Sequence, residues 1–374
     1  MKKIYFVLLL LGLTSISCSD FLEEKPKDEL SSDQFFTEAS HAYSAVNSLY
    51  RTGAPQMYDG PPYTGTRMMF IQYMSGLFDN QYKGQEVHVQ HAQQLTLNGT
   101  NIAGYLDDIW SDLYSGISRA NLAIKRIPET PGLEGTEMNQ LLAEARFFRA
   151  YAYYFLARMF GGVPIITEPY ETLDNLYVER GQLEDVYALI VEDLSFGVNE
   201  EGLPEVRMAD NEGRITKSVA ATLLAEVYLT MSGYPLQRDH FSDATATAKM
   251  IINQELGSFN LVQHETSGGN VVFENSAYNK IRKADVTPEE YIYYKEYDAA
   301  IASSNYPRWT YPYGVGLEDG VVKYSVINGA YQPAPEYVQA YDPANDLRIQ
   351  NRQFFHTSIT VDGDVRNFAP TPFI

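Results

Sequence analysis

Cysteine is almost missing from this chain: Cys18 is the single example among 374 residues, so no disulfide can close within it. Stability has to come from a buried core, which a chain of this length can build. Basic residues are scarce as well, with 28 lysines and arginines against 48 acids and a net charge of -20. That balance excludes a nucleic-acid role, because phosphate binding needs a basic patch that releases counterions and no run here is basic. Catalytic signatures are also lacking, with no G-x-S-x-G elbow and no cysteine set as a nucleophile. Asp107 and Asp108, like Glu192 and Asp193, are carboxylate neighbours, but adjacent helical positions diverge by about 100° and cannot share a substrate. A glycosidase needs two carboxyls roughly 5–9.5 Å apart across a cleft, and no pattern in the sequence specifies such a pair. The chain is not read as an enzyme, and no cofactor is implied. Metal signals are poor too. His88 and His91 lie three apart, but the alternating run HVQH reads better as strand or loop than as a helix, and no nearby acid or cysteine completes a zinc set.

What is present begins at the N-terminus, where Lys2 and Lys3 precede the apolar run Ile4 to Leu13 and Cys18 follows Ser17. A basic start, an apolar stretch of about 7–15 residues and small residues before a cut describe an export signal, and this run is too short to span a bilayer. A cysteine directly after the cut points to a lipoprotein signal whose thiol is acylated; the alternative is an ordinary secreted protein with a chance cysteine. Residues 1–17 then form the signal and residues 18–35 a lipidated acidic tether. Removing the signal takes away two lysines and no acid, leaving 26 basic against 48 acidic residues. Such a surface is repelled by anionic lipid, so the acyl chains would carry the membrane attachment.

Tyrosine dominates the aromatics, at 29 against 18 phenylalanines and two tryptophans. It offers a flat apolar face with a polar tip, suited either to packing between helices or to a surface that stacks on sugars. Helical spacing is plain in the middle of the chain. A short helix is predicted over Glu38–Tyr50, and Arg51–Asn101 reads as irregular loop. Trp110, Leu113, Ile117, Ala120, Ile124 and Ile127 then recur at three and four residues, with Trp110 assigned to the core, and Pro128 ends the run. A second helix starts near Thr136 as N-cap and carries two apolar stripes. Ala145, Phe148, Ala152, Phe155 and Met159 form one, and Phe147, Tyr151 and Tyr154 the other. Apolar residues on two faces place it between neighbours in an all-helical body. Gly161 and Gly162 stop it, and VPIITEP leads away as an extended strap. Gln182–Phe196, Thr216–Met231 and Phe241–Gln254 follow as helices, the first two closed by Gly197 and Gly233. From about residue 257 the chain turns loop-rich, with β-like runs at Glu290–Tyr297 and Val321–Ile327. There Tyr306, Trp309, Tyr311 and Tyr313 crowd into YPRWTYPYGVG, where Pro307 and Pro312 stiffen the backbone.

Four segments carry a family resemblance. AEARFFRAYAYYFLARMFGGVPIITEP (143–169) resembles the signature helix and strap of the SusD/RagB family, outer-membrane nutrient-binding lipoproteins of Bacteroidetes. CSDFLEEKP, WSDLYSGISRANLAIKRIP (110–128) and RITKSVAATLLAEVYLTMSG (214–233) resemble its mature N-terminus, preceding helix and later helix, in the same order. The resemblance implies an all-α fold of tetratricopeptide-like antiparallel helix pairs with long ligand-binding loops and minor β structure in the C-terminal part. The SusD-like domain would run over 36–374, with its helical core at about 104–256 and the loop-rich region at about 257–374. The family's last amphipathic helix has no counterpart before Ile374, so the chain is either a fragment or a short member.

The resemblance further implies a cell-surface lipoprotein that binds oligosaccharide and passes it to a SusC-like TonB-dependent transporter. It would be held at the outer membrane through Cys18 and face the exterior. The alternative is a helical-repeat scaffold lipoprotein that binds peptide or protein. Candidate ligand-binding residues are Trp309, Tyr311, Tyr313 and Tyr306, whose rings could stack on sugar faces, unless that loop packs on its own helices. In GLFDNQYKGQ, Phe78 and Tyr82 could stack while Asp79, Asn80 and Gln81 offer hydrogen bonds. Asn98-Gly-Thr is a formal glycosylation sequon that means little in a bacterial export context.

Overall fold

The computed structural model describes residues 35–52, 73–79, 87–101, 103–170, 176–199, 202–283, 287–296, 332–342, 344–350, 358–361 and 364–367. Six longer helices build the body: α1 (Ala39–Thr52), α3 (Ala103–Arg126), α4 (Gly135–Phe160), α5 (Leu183–Asn199), α6 (Lys217–Ser232) and α7 (Phe241–Ile252). A shorter α2 (Val87–Gln93) precedes α3. Successive helices pack on one another, α3 on α4, α4 on α5, α5 on α6 and α6 on α7, while α1 packs on α3 and α4. This is an all-α body of tetratricopeptide-like helix pairs.

Spacing explains each packed face. In α1, Ala42, Val46 and Leu49 follow at four and three residues and are fully buried. In α3 the buried line runs through Ile109, Leu113, Ile117 and Ala120. Trp110 therefore lies one position off that line: it is half-buried, its ring 5.0 Å from Tyr114 and 5.1 Å from Phe160. Both stripes of α4 face neighbours, with Ala145, Phe148, Ala152, Phe147 and Tyr154 buried. Its N-cap is Glu134 and makes no side-chain capping bond, so Thr136 is already inside the helix. At the other end Gly161 adopts φ 73°, a left-handed conformation open to glycine without strain, and its N–H closes on the Ala157 carbonyl. Gly233 caps α6, whereas Gly197 lies inside α5. A Cβ on Gly197 would come within 3.0 Å of Leu203 and 3.5 Å of Ala220, so its bareness serves close packing rather than termination.

Side chains tie the layers together. The strap after α4 is held by α3 and α4: Tyr114 Oη donates to the Pro164 carbonyl (2.7 Å), Asn121 Nδ2 to that of Ile166 (2.8 Å), and Ile166 N–H to Tyr153 Oη (2.7 Å). Two charged clusters sit inside the body. Arg149 on α4 donates through Nε and Nη2 to Asp193 on α5 at 2.7 and 2.8 Å and through Nη1 to Asn121 on α3 at 2.9 Å. Glu144 accepts from Arg214 at 2.6 and 3.1 Å and from Tyr50 Oη at 2.7 Å. Both carboxylates are fully buried; burial raises their pKa values, and the guanidiniums pull against that rise.

The remaining described structure is sparse in regular elements. Three two-stranded antiparallel ribbons occur: β1 (Phe78–Asp79) with β4 (Gln332–Pro333), β2 (Thr266–Ser267) with β3 (Asn270–Val271), and β5 (Ser358–Val361) with β6 (Asp364–Asn367). Short helices α8 (Ala277–Ile281) and α9 (Pro335–Gln339) lie among them. Three further expectations need correction. The run Glu290–Tyr297 makes no strand over its described residues, 290–296. Ile292 and Tyr294 pack on the helical core instead, and the Tyr293 ring lies 6.2 Å from Phe147 and 6.1 Å from Tyr151. The stretch Arg51–Asn101 is not all loop, since α2 and β1 fall within it. The HVQH run is helical too, because seven residues with a buried Ala92 suffice for two turns against the body. Val321–Ile327 lies outside the described residues.

Candidate functional site

The candidate site forms where β1 meets β4, bringing residues near 78 together with residues near 340. Pairing sets Phe78 opposite Pro333 and Asp79 opposite Gln332, and Ala334 N–H extends the ribbon to the Leu77 carbonyl (2.8 Å). Directly after β4, Pro335 starts α9; its fixed φ suits the first helical turn. Tyr337 lies in α9 and Tyr341 just past its end, where the Tyr341 N–H donates to the Val338 carbonyl at 3.3 Å and folds the chain back beside Tyr337. Ring centroids step from Phe78 to Tyr337 (6.0 Å) and on to Tyr341 (5.5 Å), and the Arg348 guanidinium caps Tyr341 at 4.9 Å. All three rings are half-buried, with Met74 and Leu77 exposed on the same segment as Phe78.

Polar groups are built around these faces. Asp79 Oδ1 accepts from Gln93 Nε2 of α2 at 2.7 Å, and Tyr341 Oη donates to Tyr337 Oη at 2.9 Å. Burial, followed by that shared hydroxyl bond, pushes the Tyr341 phenol up to about 12. Arg348 grips Asp346 through Nη2–Oδ2 (2.6 Å) and Nε–Oδ1 (2.9 Å), which holds the Asp346 carboxyl below its ordinary value. Asp342 is likewise lowered, by the Asn345 side chain at 2.7 Å and the Ala344 N–H at 2.9 Å. Burial raises the phenol of Tyr278 on α8, whose ring lies 5.0 Å from the Arg282 guanidinium. The arrangement offers apolar ring faces bordered by carboxylates, an amide and a guanidinium. That combination suits noncovalent binding of a ligand carrying both apolar faces and hydroxyls.

Of the residues singled out from the sequence, the structure brings Phe78 and Asp79 into this edge. Tyr82, Tyr306, Trp309, Tyr311, Tyr313 and Cys18 lie outside the described residues. Tyr337, Tyr341 and Arg348 were not anticipated. The available signal was the pair of tyrosines four apart directly after a proline, in PEYVQAY. Among the described residues no group of three or more histidines, cysteines or carboxylates could hold a metal ion. His91 instead shares a hydrogen bond with Thr96 Oγ1 at 2.9 Å.

Comparison with known proteins supplies the lineage. A SusD-like family model, described as starch-binding associating with outer membrane, matches residues 20–229. SusD-like protein P2 of Formosa agariphila is 29% identical over 259 residues, covering 68% of this chain and 47% of that protein. A SusD-like protein of Bacteroides ovatus is 27% identical over 237 residues, covering 63% and 40%. This chain thus spans about half the length of the curated relatives it matches. A SusD superfamily crystal structure from Parabacteroides distasonis superposes with a TM-score of 0.74 at 23% identity, covering 92% of this chain and 69% of that one.

Proposed function

The chain belongs to the SusD-like family, and from that premise we propose that it binds oligosaccharide noncovalently at the cell surface. The observation that carries the reading is the file of half-buried rings, Phe78, Tyr337 and Tyr341, set among Asp79, Asp346 and Arg348 at the β1–β4 edge. A sugar ring buries its axial hydrogens on an aromatic face while its hydroxyls bond the surrounding polar groups. Stacking on one ring contributes about 1–3 kcal/mol in the comparable case of nucleic-acid bases. Trp309, Tyr311, Tyr313, Tyr306 and Tyr82, which lie outside the described residues, are proposed as further stacking residues. No proton transfer or covalent step is assigned to it.

The family description as outer-membrane-associated supports the rest of the account. Residues 1–17 direct export, Cys18 carries the lipid, and the acidic segment to residue 35 tethers the body that begins at residue 36. A SusC-like TonB-dependent transporter receives the glycan from the anchored body. The direct test is calorimetry or affinity electrophoresis of the full chain against a glycan panel, repeated with Tyr337→Ala and Trp309→Ala. Binding that weakens in either variant supports the reading, and absence of binding to every glycan tried removes it. Membrane fractionation of Cys18→Ala tests the anchor separately: a variant that stays membrane-bound takes the lipid out of the account.

A further inference from the structure

Asn98 sits in an exposed turn between α2 and α3, followed by Gly99 and Thr100, which are exposed as well. Its side-chain Oδ1 accepts two backbone bonds, from the Thr100 N–H at 3.0 Å and the Asn101 N–H at 3.2 Å. The turn is closed from the other side by Asn98 N–H donating to Asn101 Oδ1 (2.9 Å) and Asn101 Nδ2 to the Thr96 carbonyl (3.1 Å). We propose that this turn is a self-modifying site, at which Asn98 converts through a succinimide to aspartate and isoaspartate.

The chemistry needs no cofactor. The Gly99 backbone nitrogen attacks Asn98 Cγ, forming a C–N bond as the Cγ–Nδ2 bond breaks. Ammonia leaves, carrying the Nδ2 hydrogens and, by way of solvent, the Gly99 amide proton. Water then opens the five-membered ring at one of its two carbonyls. Opening at Cγ gives aspartate, and opening at the main-chain carbonyl gives isoaspartate, whose backbone runs through Cβ.

Three features of this turn favour that course. Glycine has no Cβ to block approach of its nitrogen. An Oδ1 that already accepts two N–H groups has donors in place for the negative charge that develops on it in the tetrahedral intermediate. Solvent exposure gives water and base access to both residues. The products differ in consequence. Aspartate puts a negative charge on an oxygen that already accepts the Thr100 and Asn101 N–H groups. Isoaspartate inserts a methylene into the main chain and breaks the reciprocal Asn98–Asn101 pairing. That pairing steadies the turn whose Thr96 holds the end of α2, through its N–H to the His91 carbonyl at 2.9 Å. Helix α2 in turn presents Gln93 to Asp79 of the candidate site, so the modification reaches the edge without a ligand being involved.

The test is peptide mapping by mass spectrometry, with isoaspartate-specific fragmentation, of the full folded chain aged in mildly alkaline buffer beside the same chain in urea. Asn98 is expected to convert in the folded chain no more slowly than in urea, while Asn101 keeps its amide. A Cβ at Gly99 would meet nothing within 4 Å, so Gly99→Ala keeps the fold. That variant is expected to slow conversion at least roughly tenfold, equivalent to about 1.4 kcal/mol of barrier. Persistence of the Asn98 amide in the folded chain while it converts in urea overturns the proposal, as does equal conversion in Gly99→Ala.

Discussion

Tyrosine serves two different purposes in the helical body and at the β1–β4 edge. In the body, tyrosine hydroxyls are committed to the fold. Tyr50 bonds Glu144 and Ile215, Tyr114 and Tyr153 hold the strap, and Tyr154 Oη donates to Glu226 (2.9 Å) and bonds Thr230 Oγ1 at 2.8 Å. At the edge, Tyr337 and Tyr341 bond each other and keep half-exposed rings beside Phe78. One residue type thus cements helices in the first region and presents a face in the second. Composition alone leaves both uses open; the partners of each hydroxyl separate them.

Substitutions can break this contrast, and the largest effect is expected deep in the body. Arg149→Ala leaves Asp193 buried with only Arg146 Nη1 at 3.2 Å. It should cost about 3–5 kcal/mol in urea unfolding, because a buried carboxylate loses its principal partner. Tyr50→Phe removes a hydroxyl that donates to Glu144 and accepts from the Ile215 N–H, with an expected loss of about 1–3 kcal/mol in the same assay and no change in glycan affinity. Tyr337→Ala should do the reverse. Stability falls by only about 1 kcal/mol for a lost aromatic contact, while glycan affinity falls about tenfold to a hundredfold, as expected for one stacking ring.

A further test is a titration. Burial pushes the phenols of Tyr151 and Tyr153 up to about 12 from an ordinary value of 10.0. A folded-state value above the unfolded one means that the folded chain keeps its proton longer. The stability these groups contribute is complete below about pH 10 and is lost as pH climbs towards 12. Tyrosinate absorbance and circular dichroism should show core phenolates appearing together with loss of helix. Ionisation of the core phenols near 10 with helices intact would show that packing in the body does not protect them.

Much of the body was legible because its signal is local. Three-and-four spacing marks the packed faces of α3 and α4, and the extents read for α5 and α6 agree with the observed helices to within a few residues. The buried charges were missed, although Arg149 lies in line with Ala145 and Ala152, and Asp193 with Val186, Ile190 and Gly197. A charge inside an apolar stripe is the mark of a buried pair, but its partner sits on another helix. Helix α2 was hidden by its length, since seven largely polar residues carry little periodicity. The edge was least legible. Nothing local links Phe78 to Pro333, and a two-residue strand has no pattern to read. Tyr337 and Tyr341 gain significance only from the ribbon that sets them beside Phe78.

The central claim is that the ring file at the β1–β4 edge, and not the tyrosine-rich body, contacts the glycan. Calorimetry of the full chain, Tyr337→Ala and Tyr50→Phe against one oligosaccharide that the unmodified chain binds tests it in a single series. The account predicts affinity weakened about tenfold or more in Tyr337→Ala and unchanged in Tyr50→Phe, with unfolding midpoints showing the opposite order. Equal affinity in the unmodified chain and Tyr337→Ala would contradict it.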